Sequence, residues 1–198
     1  MANITYRDAT EADLASIRTI EEYYALNTHS SLLTGVPTLS DMSARFRHLL
    51  ATTMPYRVAV DVALVDPGVI GYAYLLPSND AYRPTAELRL WVHPARCGQG
   101  VGTQLVDHLL RMMRNWKVVP QFPGELPTAT SSVLVRNVIA VQVMDPFGRE
   151  GGEAARRFFR NRGFRERGWL REVAFKRGQW LDVIYWQFST LGHAGGGW

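Results

Sequence analysis

Hydrophobic and polar positions along the chain switch repeatedly between a two-residue and a 3.6-residue period, which predicts strands interleaved with helices. Ile4 to Arg7 reads as a short strand. Thr10-Glu-Ala-Asp13 has the spacing of a capping box, with Thr10 as the cap, and Leu14, Ile17, Ile20 and Tyr24 follow at helical spacing. The stretch from Thr28 to Pro37 breaks that period. Leu39-Ser40-Asp41 opens a second helix with Met42, Phe46, Leu49 and Leu50 on one side. Tyr56 to Val62 and Val69 to Leu76 are β-rich and joined by Asp66-Pro67-Gly68, which predicts a hairpin.

The next strand, Glu87 to Val92, alternates Leu88, Leu90 and Val92 against Glu87, Arg89 and Trp91. Val101, Leu105, Leu109 and Met112 then form a helical apolar face. Residues 115–132 hold three prolines and a glycine without a clear period; this inserted loop is a candidate lid or oligomer contact. Val133 to Val143 predicts a buried strand, Glu150 to Arg162 a helix stopped by Gly163, and Phe164 onward two strands around Arg177-Gly178. Tyr72, Tyr74, Tyr185 and Trp186 are expected in the core. A single domain over residues 1–190 accounts for these elements, with a flexible tail over 191–198.

Composition narrows the functional classes. The 198 residues suffice for one domain with a real core, and 46% hydrophobic content is ordinary for a globular protein. Lys and Arg number 22 against 18 Asp and Glu, a mild +4. Much of the excess lies between Arg156 and Arg171. Glu153, Glu166 and Glu172 are interleaved there, so an ion-paired solvated face is expected rather than a nucleic-acid surface. The lone Cys97 forms no intrachain disulfide, the first residues lack a secretory apolar core, and no run approaches the roughly 20 apolar residues of a membrane span. A soluble cytoplasmic protein is expected.

The chemistry gathers at Leu88 to Leu110, where a strand meets Pro94, three alternating glycines and a helix. A P-loop needs a Gly-Lys dipeptide, and the chain has none. A dinucleotide fingerprint needs G-x-G-x-x-G, whereas Gly98, Gly100 and Gly102 are spaced G-x-G-x-G. The remaining reading is an anion cradle. Unpaired amides at a helix start, helped by the helix dipole, favour a phosphate, and glycines let it touch the backbone. Arg96 adds charge and Thr103 a hydroxyl.

The run Val92-His93-Pro94-Ala95-Arg96-Cys97-Gly98-Gln99-Gly100-Val101-Gly102 resembles the acetyl-CoA pyrophosphate loop of the GCN5-related N-acetyltransferase superfamily. YRDATEADLASI, VIGYAYLLP and LREVAFKRGQWLDVIYWQ extend the likeness along nearly the whole chain, toward the phosphinothricin acetyltransferase branch. The resemblance implies an α/β fold with a mixed, largely antiparallel seven-stranded sheet, about four helices and a splayed central strand pair. It implies acetyl-CoA as cosubstrate, held by Val92, Arg96, Cys97, Gly98, Gln99, Gly100, Val101, Gly102 and Thr103, with no metal. The Val92 backbone would bond the acetyl carbonyl or the pantetheine, where a fixed N–H stabilises growing charge.

By the same resemblance, Glu87 is the candidate base, five residues before Val92, with a surface pair to Arg89 as the alternative. Acceptor contacts are sought at Tyr82, Arg83 and His29, and the Trp180-Leu181-Asp182 turn is a candidate cover. The chain departs from the family pattern at Cys97, where Arg or Gln is usual, at Gly152, where Asn is frequent, and at Phe159, where Tyr or His stands. Phenylalanine gives no proton, so another group or water protonates the thiolate, or it leaves as the anion.

The expected activity is direct acetyl transfer to a primary amine of a small molecule, an amino acid or a phosphinothricin-like compound. A non-catalytic acyl-CoA-binding module and an acetyltransferase for macromolecular acceptors are the alternatives. No nucleic acid or membrane partner is expected, and a homodimer is a candidate assembly.

Overall fold

A computed structural model describes residues 3–63, 68–78, 80–113, 117–118 and 133–190. The expectations for the Asp66-Pro67 turn, for most of the 115–132 loop and for the 191–198 tail fall outside those residues.

The chain begins with β1 (Ile4–Asp8) and a 3-10 turn at Glu11–Asp13 that leads into α1 (Leu14–Asn27). The capping box forms as the sequence predicts: the Thr10 N–H and hydroxyl both donate to Asp13 Oδ2, at 2.7 and 2.9 Å. Next come α2 (Leu39–Ala51), capped by Thr38, then β2 (Tyr56–Asp61), β3 (Gly68–Pro77) and β4 (Thr85–Val92). After the glycines runs α3 (Val101–Met113). A two-stranded ribbon, β5 (Lys117–Val118) and β6 (Val133–Leu134), precedes β7 (Asn137–Val143), α4 (Glu153–Asn161), β8 (Arg165–Lys176) and β9 (Gln179–Ser189).

Two boundaries differ from the hydrophobic pattern. The predicted strand from Val133 to Val143 is cut in two, because Arg136 and Asn137 both donate their N–H to the Pro84 carbonyl, at 2.7 and 3.0 Å. The predicted helix from Glu150 starts only at Glu153. Glu150, Gly151 and Gly152 all have positive φ (55°, 59° and 91°), so the chain coils left-handed before α4 begins.

The sheet order is β1-β2-β3-β4-β7-β9-β8. Every pairing is antiparallel except β4 with β7, which is parallel and extends only from Thr85↔Asn137 to Leu88↔Ala140. Beyond Leu88 the two strands part, which is the splayed central pair implied by the sequence resemblance.

On β4, Glu87, Arg89 and Trp91 lie opposite Leu76, Tyr74 and Tyr72, on the face that carries the buried tyrosines. Leu88, Leu90 and Val92 share the other face with Gly71, Ala73 and Leu75; a side chain at Gly71 would strike Val101 and Leu105 of α3. The core links both faces, from Ile17, Met42 and Phe46 on α1 and α2 to Leu105 and Leu109 on α3. Trp186, Tyr72 and Tyr74 are buried as expected, whereas Tyr185 is 40% exposed, because the pleat of β9 turns it outward.

Candidate functional site

The parting of β4 from β7 opens a cleft of about 1250 Å³. One wall is β4 from Leu88 to Val92 with the glycine loop; the other is Val141 to Val143 of β7 with the start of α4. Backbone polarity makes this gap suited to a ligand. His93 donates its N–H to Ile70 O at 2.8 Å, and Ser78 donates to Thr85 O at 3.2 Å, at opposite ends of the β3–β4 ladder. Antiparallel bonding alternates, so the odd-numbered residues of β4 bond to β3 and the even-numbered ones face β7. Leu90 and Val92 therefore turn N–H and C=O into the gap where β7 has left, and such groups require partners. Tyr24 meets one requirement: its hydroxyl donates to Val92 O at 2.7 Å. Burial raises the Tyr24 phenol above its usual range, so it stays protonated and available as a donor.

The glycine loop follows β4 directly. Gly98 and Gly100 take φ of 80° and 82°, a conformation that glycine adopts without strain. Gly102 has no such need; a Cβ there would make ordinary contacts with Val92, Leu90 and Phe158, where α3, β4 and α4 converge. Val101, Gly102 and Thr103 open α3, and their amides are among those a helix start leaves unpaired. Gly98, Gly100, Val101, Gly102 and Thr103 line the cleft.

Their neighbours have other engagements. The Arg96 guanidinium donates to Asp61 Oδ2 at 2.6 Å, and Asp61 is only 2% exposed, so this charge is paired in the protein. Cys97 Sγ lies 3.7 Å from the Tyr24 hydroxyl and 3.8 Å from Val92 O. Gln99 folds back, its Nε2 donating to Ala95 O at 3.0 Å.

A cation approaches the loop from the other wall. A Cβ built on Gly98 would lie 2.7 Å from Arg149 Nη1, so the side chain of Arg149, just before α4, spans the mouth of the cleft. The coil behind it is anchored from the core: Trp186 Nε1 donates to Gln142 Oε1 at 3.0 Å, and Gln142 Nε2 donates to Gly152 O at 2.9 Å. Phe159 belongs to the same cluster, 5.6 Å from Trp186 and 5.4 Å from Phe164 between ring centroids. Its place in the family pattern is thus filled by packing.

Polar groups on the helix side of β4 form a second part of the site. Glu87 pairs with Arg89 at 2.8 Å, and of the two Arg89 lines the cleft. Glu21 of α1 lines it as well, although 1% exposed. Its Oε1 accepts from Arg45 at 2.6 Å and from the Tyr72 hydroxyl at 2.8 Å, while Oε2 is buried without a hydrogen-bond partner. His29, 9% exposed, lines the end of the cleft beside Asp145. Asp145 accepts from the His29 N–H at 3.1 Å and the Ser30 hydroxyl at 2.7 Å, and the buried His29 Nε2 has no hydrogen-bond partner.

The remaining acceptor candidates stand apart. Tyr82 is 74% exposed, and neither it nor Arg83 lines the cleft. Trp180 is 63% exposed against Phe175, and Asp182 binds Trp169, Arg171 and Glu172 of β8 rather than covering the site. The β8–β9 turn instead acts through Lys176, whose Nζ donates to Tyr24 O at 3.0 Å and Ser31 O at 2.8 Å and so fixes the segment after α1.

Sequence reasoning missed Glu21, Tyr24 and Arg149. Glu21 and Tyr24 lie in a helical pattern whose signal is its apolar stripe, and Arg149 immediately precedes the helix predicted from Glu150. The late arginines do form an ion-paired face: Arg156 with Glu153 and Glu166, Arg160 with Glu166, and Arg162 with Asp107. No described helix is long and apolar enough to cross a membrane.

Comparison with known proteins places this cleft in a wider group. Residues 58–166 match the family described as the acetyltransferase (GNAT) domain. A phosphinothricin N-acetyltransferase from Alcaligenes faecalis is 28% identical over 187 residues, covering 92% of this chain and 81% of that protein. Among solved structures, a GNAT superfamily phosphinothricin acetyltransferase from Sinorhizobium meliloti in complex with AcCoA is 28% identical. It has a TM-score of 0.78 and the match covers 99% of this chain and 93% of that one. The ribosomal-protein-alanine N-acetyltransferase of Brucella melitensis is 25% identical with a TM-score of 0.73, over 93% and 99% of the two chains.

Proposed function

The chain belongs to the acetyltransferase (GNAT) domain family and is an N-acetyltransferase, and we propose that it moves an acetyl group directly from acetyl-CoA to the primary amine of a small molecule. The observation that carries this reading is the opened β4–β7 gap, with the Leu90 and Val92 backbone turned into it beside a loop of positive-φ glycines. Amide groups along a pantetheine arm complement such a strand, and a diphosphate suits the N–H groups of Gly98 and of Gly100 to Gly102, since those of Cys97 and Gln99 donate to Pro94 O and Arg96 O, at 3.3 and 3.4 Å. Acetyl-CoA supplies the activated acyl group as a thioester.

The chain's own residues then have separable tasks. The Val92 N–H faces the gap and stabilises negative charge on a carbonyl oxygen held against it, while Tyr24 holds the Val92 carbonyl and fixes the orientation of that strand end. An ammonium has no lone pair, so a carboxylate or ordered water must take a proton from the incoming amine. Glu87 is the proposed base; it stands beside the cleft rather than lining it, so the role requires its pair with Arg89 to open toward the amine. Arg89 itself and Glu21 across the tyrosine face line the cleft, each ion-paired in the protein, with Glu87 and with Arg45, and offer polar contacts to a small acceptor such as an amino acid. His29 closes the far end of that pocket. Phe159 leaves the thiolate without an acid at that position; a thiol of pKa about 8.5 is a tolerable anionic leaving group near neutrality.

Likeness to a ribosomal-protein-alanine N-acetyltransferase keeps a protein N-terminus as the second reading. Both readings are tested by thiol release from acetyl-CoA over a panel of amino acids, phosphinothricin, methionine sulfoximine, polyamines and N-terminal peptides, with Glu87→Gln alongside. A small-amine acceptor whose kcat falls at least about 100-fold in the variant, with acetyl-CoA binding retained, is the expected result. Turnover of peptides alone selects the second reading. Tight acetyl-CoA binding without turnover of any amine makes the chain a binding module.

A further inference from the structure

A cation strengthens phosphate binding by backbone amides, and the cations nearest in sequence do not supply it here. Arg96 is bonded to the nearly buried Asp61, and position 97 carries a cysteine. Arg149 comes from the opposite wall, with Nη1 2.7 Å from where a Gly98 side chain would begin. Glycine at 98 thus leaves room both for the left-handed turn and for this guanidinium.

The approach is built into the backbone. Arg149 precedes the three residues of positive φ, one of them the non-glycine Glu150, and such a turn persists only when its surroundings hold it. Glu150 is drawn to Arg157 of α4 and approaches Arg149 Nε only at 3.9 Å, beyond hydrogen-bond range. Behind it the Gly152 carbonyl is fixed by Gln142. The Arg149 side chain is 68% exposed and lines the cleft, so its position does not come from core packing.

We propose that Arg149 binds the diphosphate of the cosubstrate, closing on it from the α4 wall while the glycine-loop amides hold it from the α3 wall. This inference rests on acetyl-CoA being the acyl donor. A planar guanidinium presents paired donors to phosphate oxygens, and a charge-assisted contact of this kind is worth about a factor of ten or more in affinity. The bond also joins the two walls, because its two ends lie on either side of the splayed strands.

Calorimetric titration of CoA, 3′-dephospho-CoA and pantetheine into wild type, Arg149→Gln and Arg149→Lys tests it, with a thermal melt to check that each variant folds. Arg149→Gln should weaken CoA and dephospho-CoA alike by about tenfold and leave pantetheine unchanged, with Arg149→Lys intermediate. Unchanged CoA affinity overturns the proposal. So does a loss confined to CoA, which would assign Arg149 to the 3′-phosphate, or an equal loss for pantetheine, which would make its role structural. Failure of the wild type itself to bind CoA would instead remove the acyl-donor reading, and this inference with it.

Discussion

Gly98 and Gly100 adopt nearly the same left-handed conformation in different surroundings. Nothing lies within 4 Å of a Cβ at Gly100, whereas at Gly98 the Arg149 guanidinium does. Alanine at either position meets the same backbone strain of about 1–2 kcal/mol, so urea unfolding should show similar losses of stability. CoA affinity should separate them, falling further in Gly98→Ala because Arg149 must move aside. Gly98 and Gly100 were legible in the sequence because glycine takes such a turn without strain. Arg149 was not, since its meaning depends on a wall brought opposite by the sheet. Tyr24 was visible as one more apolar position; that its hydroxyl holds the Val92 carbonyl depends on where α1 crosses β4.

Among the elements, β8 shows how local irregularity is stabilised. Its pairing with β9 slips between Leu170 and Ala174, and Glu172 sits there at φ 52°. Asp182 of β9 holds the bulge, accepting from the Glu172 N–H at 3.0 Å, Trp169 Nε1 at 2.9 Å and Arg171 at 2.7 Å. These donors, the Glu172 amide first, keep the Asp182 carboxyl below the usual carboxylate range. A depressed folded-state pKa contributes stability that is present above the unfolded value, about 3.9, and is lost as pH falls through the folded value. Asp182→Asn should therefore lower stability at neutral pH and flatten the acid limb of a plot of urea midpoint against pH. Most elements were legible because their periods are clean, including the stop at Gly163. The late start of α4 was not, because Glu150-Gly151-Gly152 sits in a stretch whose polar residues also suit a first helical turn. The cut at Val135–Arg136 was hidden as well, since the Pro84 carbonyl that makes it lies on another strand.

On the scale of the molecule, the sheet ends at β8, an edge strand whose hairpin exposes Val173, Phe175 and Trp180 at 52%, 58% and 63%. Apolar side chains gathered on an open edge favour self-association. Sedimentation should show a dimer that Phe175→Ser with Trp180→Ser converts to monomer, without loss of CoA affinity. The seven strands and the splay could be anticipated by resemblance, but the depth of the gap could not, because it depends on where a parallel pairing of four positions gives out. That short seam leaves β1–β4 and β7–β9 joined within the sheet along four positions, with Lys176 and Asp145 tying the segment after α1 to the far half. A ligand seated between the two halves would act as a missing strand and finish a ladder the polypeptide leaves incomplete. Its arrival would then be in part a folding event, registered as slower amide exchange at Leu90 and Val92.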